Sequence, residues 1–214
     1  MDRREALSRV ALIVGGTIIG AEAFLSGCKN EPKKEGLFAT DDIALLDEVG
    51  DTILPTTASS PGAKAAQIGN FMKVIVTDCY PEDDQRTFTD GIGKLNDAAK
   101  QKYNKSFMDM TPEQRTEFLI ALDKEAKDHD KEIADRDAKM TDEEKHKRKL
   151  EQDAGTYKRD PKDDPHYFGM MKQLTLWGYF TSKPGATQAL RYVAVPGSYQ
   201  GCIPYKKGDK AWAT

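Results

Sequence analysis

Apolar residues recur at helical spacing along most of this chain. Thr40 is expected to cap a helix on which Ile43, Leu46, Val49 and Ile53 form one stripe, with Asp41 and Asp42 placed favourably for the positive end of the helix dipole. Pro55 closes that helix. A second stripe follows in Ile68, Phe71, Met72, Ile75, Val76 and Cys79, and a third in Phe88, Ile92, Leu95 and Ala99 after Pro81. Gly91 and Gly93 weaken the third helix unless close packing requires them. Thr111-Pro112-Glu113-Gln114 is a capping box with proline at the first helical position, and Phe118, Ala121, Leu122 and Ala126 give the helix it opens a buried face. Between the first two helices lies a loop of turn formers and small residues, Pro55 to Ala63.

The pattern changes at 123–164, where most residues are charged, both signs are interleaved and large apolar residues are scarce. A second capping box, Thr141-Asp142-Glu143-Glu144, predicts solvated helix interrupted near Met140 and Gly155. The segment reads as a solvated insertion held by weak ion pairs, or as an arm that touches a partner.

Asp164-Pro165 is then expected to cap a final helix whose apolar residues are not confined to one face: Tyr167, Phe168, Met170, Met171, Leu174, Leu176, Trp177, Tyr179 and Phe180. A helix apolar all round must be covered on all sides. Past it runs a tail broken by Pro184-Gly185 and Pro196-Gly197 and carrying Leu190, Tyr192, Val193, Val195, Tyr199 and Cys202. Two readings stand: a core helix with a strap tied over a small domain, or a surface that docks a second protein. The predicted fold is mainly α: a small irregular helical domain with a long Pro/Gly-rich C-terminal strap and a charged helical insertion.

The start of the chain has a different logic. Arg3, Arg4 and Arg9 precede an uncharged run from Val10 to Ala21, which has the length of a signal-peptide core and is short for a bilayer span. Leu25-Ser26-Gly27-Cys28 resembles a lipobox, so residues 1–27 read as a signal peptide and Cys28 as a lipidated N-terminus. Acyl chains would anchor it at ~0.8 kcal/mol per buried methylene. The Arg3-Arg4 pair also resembles a twin-arginine export signal; Ala6 and Ser8 make that match partial, and general secretion stands beside it. Residues 28–39 form a polar tether, and 40–214 the helical domain.

Charge and chemistry narrow the function by exclusion. With 32 basic against 35 acidic residues the net charge is -3, which gives no basic field for nucleic acid. The 3 histidines, His129, His146 and His166, offer little to a metal. No nucleophile elbow, phosphate loop, haem-attachment motif or dinucleotide-binding unit is present, and Gly91-Ile92-Gly93 lacks both the strand and the third glycine such a unit needs. No cofactor, metal or catalytic residue is therefore expected on this chain. Of the 3 cysteines, Cys79 and Cys202 remain once Cys28 is assigned to lipid. A bridge between them would be worth about 4 to 5 kcal/mol in an oxidising compartment and would pin the tail to the second helix; alternatively Cys79 is a buried thiol.

Several of these residues together carry a resemblance. Asp51-Thr52-Ile53-Leu54-Pro55, Pro61-Gly62-Ala63, Ile68 and Phe71, with Leu174 to Ser182, Pro184-Gly185, Tyr192, Pro196-Gly197 and Cys202, resemble the gluconate 2-dehydrogenase subunit 3 family. The chain departs from many relatives in having Thr56, Thr57, Ala58, Ser59 and Ser60, and no acidic residue, between the two prolines of the first loop. The resemblance implies a non-catalytic small subunit that binds, helps export and anchors a large dehydrogenase subunit of the glucose-methanol-choline type. FAD is expected on that partner, and a cytochrome c takes the electrons. Pro61, Gly62, Trp177, Tyr179, Phe180, Pro184, Gly185, Tyr192, Pro196 and Gly197 are the interface candidates. The rival expectations are a stand-alone envelope lipoprotein and an unrecognised redox enzyme.

Overall fold

A computed structural model describes residues 36–195, 197–198 and 201–213. Arg3, Arg4, Cys28 and Pro196 lie outside the described residues. Six α-helices follow in order: α1 (Thr40–Ile53), α2 (Ile68–Cys79), α3 (Glu82–Tyr103), α4 (Pro112–Lys139), α5 (Asp142–Asp153) and α6 (Tyr167–Thr181). Short 3-10 turns at Ala63–Ala66, Phe107–Asp109 and Pro161–Asp163 and a π-turn at Gly185–Ala189 connect them. Among the described residues no strand forms; two isolated bridges, Thr57 with Ser60 and Arg191 with Trp212, are the only β pairing. The fold is mainly α, as the periodicity predicts.

Local chemistry sets the helix ends. Both predicted capping boxes form: the hydroxyls of Thr111 and Thr141 accept from the amides of Gln114 and Glu144, whose side chains accept from the threonine amides in return. The break at Met140 and the left-handed Gly155 (φ 67°) fall where the sequence places them. Two caps differ. α1 starts from Ala39, whose amide donates to the Asp42 carboxylate at 2.8 Å, so Thr40 is already helical. The cap of α6 is His166, not Asp164: Asp164 is taken by Arg159 at 2.7 Å, and the imidazole Nδ1 accepts from the Phe168 amide at 3.2 Å.

α6 is the centre of the domain and packs against α1, α2, α3 and α4. Its side chains Phe168, Met171, Leu174 and Tyr179 are buried, as are Leu46 and Val49 of α1, Met72 and Val76 of α2, and Phe88 and Leu95 of α3, the helices it packs against. Two glycines let the neighbours come this close. A Cβ on Gly91 would lie 2.3 Å from the Cβ of Tyr167, and one on Gly178 would lie 2.5 Å from the Phe71 ring. Gly91 is thus required by packing, whereas Gly93 faces open space. The expected coverage of α6 on all sides is incomplete, because Leu176, Trp177 and Phe180 stay exposed.

Polar contacts fasten the periphery. Arg115, near the start of α4, is mostly buried; it pairs with Glu48 of α1 and donates to the carbonyls of Phe107 (3.0 Å) and Met108 (2.6 Å). Lys64 joins the same carboxylate at 2.6 Å, which holds its ammonium above the usual lysine range. Beyond Ala126, α4 leaves the core and forms the charged arm with α5, a helix without a buried residue. Arg148 with Asp137 (2.7 Å) and Arg136 with Asp163 (2.9 Å) tie the arm together. The charged segment is helical and broken near Met140 and Gly155, as its pattern predicts.

The expected bridge between Cys79 and Cys202 is absent; both thiols are free and exposed. Cys79 is the last residue of α2, whose buried face is Ile68, Met72 and Val76, so it is not a buried thiol either. The strap is fastened elsewhere. Arg191 and Trp212 form its backbone bridge, and the Lys210 ammonium donates to the Ser59 carbonyl at 3.1 Å.

Two outcomes test this packing. Gly178→Ala forces its methyl against Phe71 and is expected to destabilise the domain by about 1 to 3 kcal/mol in urea unfolding. Arg115→Met leaves Glu48 with Lys64 alone and strips two carbonyls of their donor, with an expected loss of about 3 kcal/mol by the same measurement.

Candidate partner interface

The exposed positions of α6 share one side. Gln173, Leu176, Trp177 and Phe180 are three and four residues apart, the spacing of a single helix face. Leu176 is 36% exposed, Trp177 51% and Phe180 38%, while Thr175, Gly178 and Tyr179 between them are buried. α2 extends the apolar surface. The Phe71 ring, held against Gly178, meets Trp177 edge to face with centroids 5.4 Å apart, and Val74 one turn on is 54% exposed. Near the other end of α6 a cleft of about 240 Å³ opens between α1, α4 and α6, lined by Ile53, Leu119, Ile120 and Phe168 and rimmed by Asp123 and Lys172. Lys127 and Lys172 both hydrogen-bond Asp123 and hold its carboxyl below the usual range. That rim is therefore ionised and paired at neutral pH.

The interface candidates named from sequence divide into two groups. Trp177, Phe180, Tyr192 and Gly197 are exposed. Tyr179, 1% exposed, is a core residue, and its hydroxyl is 2.5 Å from the Ser60 hydroxyl. Gly62 and Gly185 are buried, and Pro61 and Pro184 are half-buried. Their roles are conformational: Gly62 has φ 73° with Thr56 N 2.6 Å from where a Cβ would sit, and a Cβ on Gly185 would lie 1.8 Å from the Tyr179 carbonyl oxygen. Tyr179, Gly62 and Gly185 are thus corrected from contact residues to parts of the scaffold that aims Trp177 and Phe180 outward. The loop hydroxyls are spent internally, with Thr56 donating to the Pro61 carbonyl at 2.9 Å and Thr57 facing Ser59 at 3.4 Å.

Sequence reasoning did not put Phe71, Val74 or Leu176 among the interface candidates. Their three- and four-residue spacing was visible, but a surface stripe and a core stripe look alike until the neighbouring helices are in place. The strap adds further apolar surface. It is closed at its base: Arg191 N donates to the Ala211 carbonyl at 2.8 Å, Ala213 N donates to the Arg191 carbonyl at 2.9 Å, and the Arg191 guanidinium lies 4.9 Å from the Trp212 ring centre. Between these points Tyr192, Val193, Val195, Ile203 and Tyr205 are exposed. Large apolar residues are thus exposed both on one face of α6 and along the strap.

Among the described residues no group of three or more His, Cys, Asp and Glu is placed to hold a metal. His129 and His166 approach each other, with ring centroids 5.8 Å apart, and His146 stands exposed on α5. Comparison with curated proteins and with solved structures gives no match. A family model, Gluconate 2-dehydrogenase subunit 3, matches residues 40–197, from the first residue of α1 into the strap. By this match the chain belongs to the gluconate 2-dehydrogenase subunit 3 family.

Proposed function

We propose that this chain is an accessory, non-catalytic subunit of a dehydrogenase complex, and that it grips the large FAD-bearing subunit with Leu176, Trp177 and Phe180 of α6, Phe71 and Val74 of α2, and the exposed residues of the strap. The observation that carries the reading is an uncovered apolar face on the central helix of a chain whose family is named as a subunit of a dehydrogenase. An aromatic cluster of this kind supplies the desolvated anchors that dominate the energy of protein interfaces. Binding that favours the folded flavoprotein over its unfolded chain stabilises it by mass action, which is how such a subunit assists maturation. Flavin chemistry and electron transfer to a cytochrome c then belong to the partners.

In the same reading, the Arg3-Arg4 leader takes the chain, and the flavoprotein bound to it, to the periplasm, and acylated Cys28 holds both at a membrane. Residues 28–39 supply the tether. The lipobox sequence Leu25-Ser26-Gly27-Cys28 supports the anchor, and the basic leader supports export.

Two variants test the two halves. Trp177→Asp places a charge in the centre of the face without touching the core, and co-purification of a flavin-absorbing subunit from the source cell is expected to fall at least about tenfold while thermal stability is retained. Full recovery of the flavoprotein by this variant, and by Phe180→Asp, would sink the docking assignment. Cys28→Ala is expected to move the protein from the membrane fraction to the soluble fraction with the flavoprotein still attached; a membrane-bound C28A protein would remove the anchor.

A further inference from the structure

The attachment of the charged arm to the core contains a pair of histidines that the proposed interface does not use. His166 ends the linker returning from the arm and starts α6; His129 lies on α4 where the arm leaves the body, one turn beyond Ala126, whose Cβ is 3.9 Å from where a Cβ on Gly169 would be. The His166 ring stacks on Tyr167 (centroids 4.6 Å) and meets the His129 ring in a T-shaped contact at 5.8 Å. Because His166 Nδ1 accepts the Phe168 amide, the neutral ring carries its proton on Nε2. His129 Nδ1 is buried and has no hydrogen-bond partner among the described residues.

We propose that His166 and His129 form a proton-sensitive joint: uptake of a proton by His166 in mildly acidic surroundings removes the cap of α6 and loosens the arm from the core. A protonated Nδ1 is a donor and cannot accept from Phe168. The new charge would also face the positive end of the α6 dipole. The remaining groups around the ring do not remove the penalty. Lys94 of α3 adds to it; Glu125 and Asp130 of α4 act against it; Asp164 in the linker is held by Arg159. Tyr167 remains a neutral phenol, its hydroxyl pushed up to about 12 by burial.

Burial, then the neighbouring His129, keep His166 below the ordinary histidine range. The direction of the pH effect follows. The unfolded chain takes up its proton first, near pH ~6.5, so stability declines as the pH falls through that value, and the loss is complete below the lower folded-state pKa. At neutral pH the cap is intact.

Amide exchange in the whole protein tests the joint. Between about pH 7.5 and about pH 5.5, and after correction for intrinsic rates, protection of the Phe168 amide and the rest of the first turn of α6 is expected to drop about fivefold, the worth of one lost helix cap. His166→Asn, a cap that does not titrate, should hold protection constant over that range. Equal pH dependence in wild type and H166N, or none in either, would overturn the proposal. A titration of the His166 ring by NMR covers the case in which H166N fails to fold: protonation at a lower pH than an N-acetylhistidine amide standard in the same tube supports the joint, and protonation at the same or a higher pH refutes it.

Discussion

The close approach of α6 to its neighbours is the constraint on which this domain depends. A helix with apolar residues on nearly every side cannot be covered by one partner, and here α1, α2, α3 and α4 share the task. Such density requires that side chains be missing at the tightest points, which are Gly91 beneath Tyr167 and Gly178 beneath Phe71. The Ser60–Tyr179 contact and the close fit of Gly185 to the Tyr179 carbonyl then fix the loops at the C-terminal end of the same helix. What the four neighbours leave uncovered is a strip one helix face wide, and Phe71 borders it because Gly178 lets the ring come close to α6.

Stability in the rest of the chain comes by different means. The core shares its burden with a mostly buried ion pair, Arg115 with Glu48, which fastens α4 to α1 and satisfies two carbonyls of the preceding turn. Arg159 in the linker returning from the arm pairs with Asp84 of α3, while within the arm α5 buries nothing and relies on capping and on pairs such as Arg148 with Asp137. Exposed pairs of that kind contribute little each. Order within α5 is therefore local in origin, while order in the core is collective.

This difference explains what could be read from the sequence. Capping boxes, the break at Met140, the turn at Gly155 and the stripe of α3 depend on residues within a few positions of one another, and all were legible. Relations between helices were not. Gly91 and Gly93 look equivalent until Tyr167 lies over one of them. Tyr179 and Trp177 are both aromatic residues of one helix, yet a rotation of two residues separates the core from the surface. Cys79 continues an apolar stripe in sequence, but α2 ends there, with no neighbour to bury it. His166 displaced Asp164 as a cap only because Arg159 had already claimed the carboxylate. The family resemblance was legible because it rests on short local runs, such as Leu174 to Ser182 and the Pro-Gly turns, which need no tertiary context to be read.

The closed base of the strap has a consequence for how this domain can vary. Arg191 and the stretch from Asp209 to Ala213 hold the two ends of the loop together through backbone bonds, a guanidinium over an indole and an ion pair at 3.6 Å. Residues added or removed between those ends change only the size of a ring whose closure is already secured, and doubling such a ring costs only about 0.6 kcal/mol. A change in the length of the strap is therefore expected to leave the helices beneath it undisturbed. The helical body and the strap are thus secured separately, the one by its core and the other by the closure at its own base.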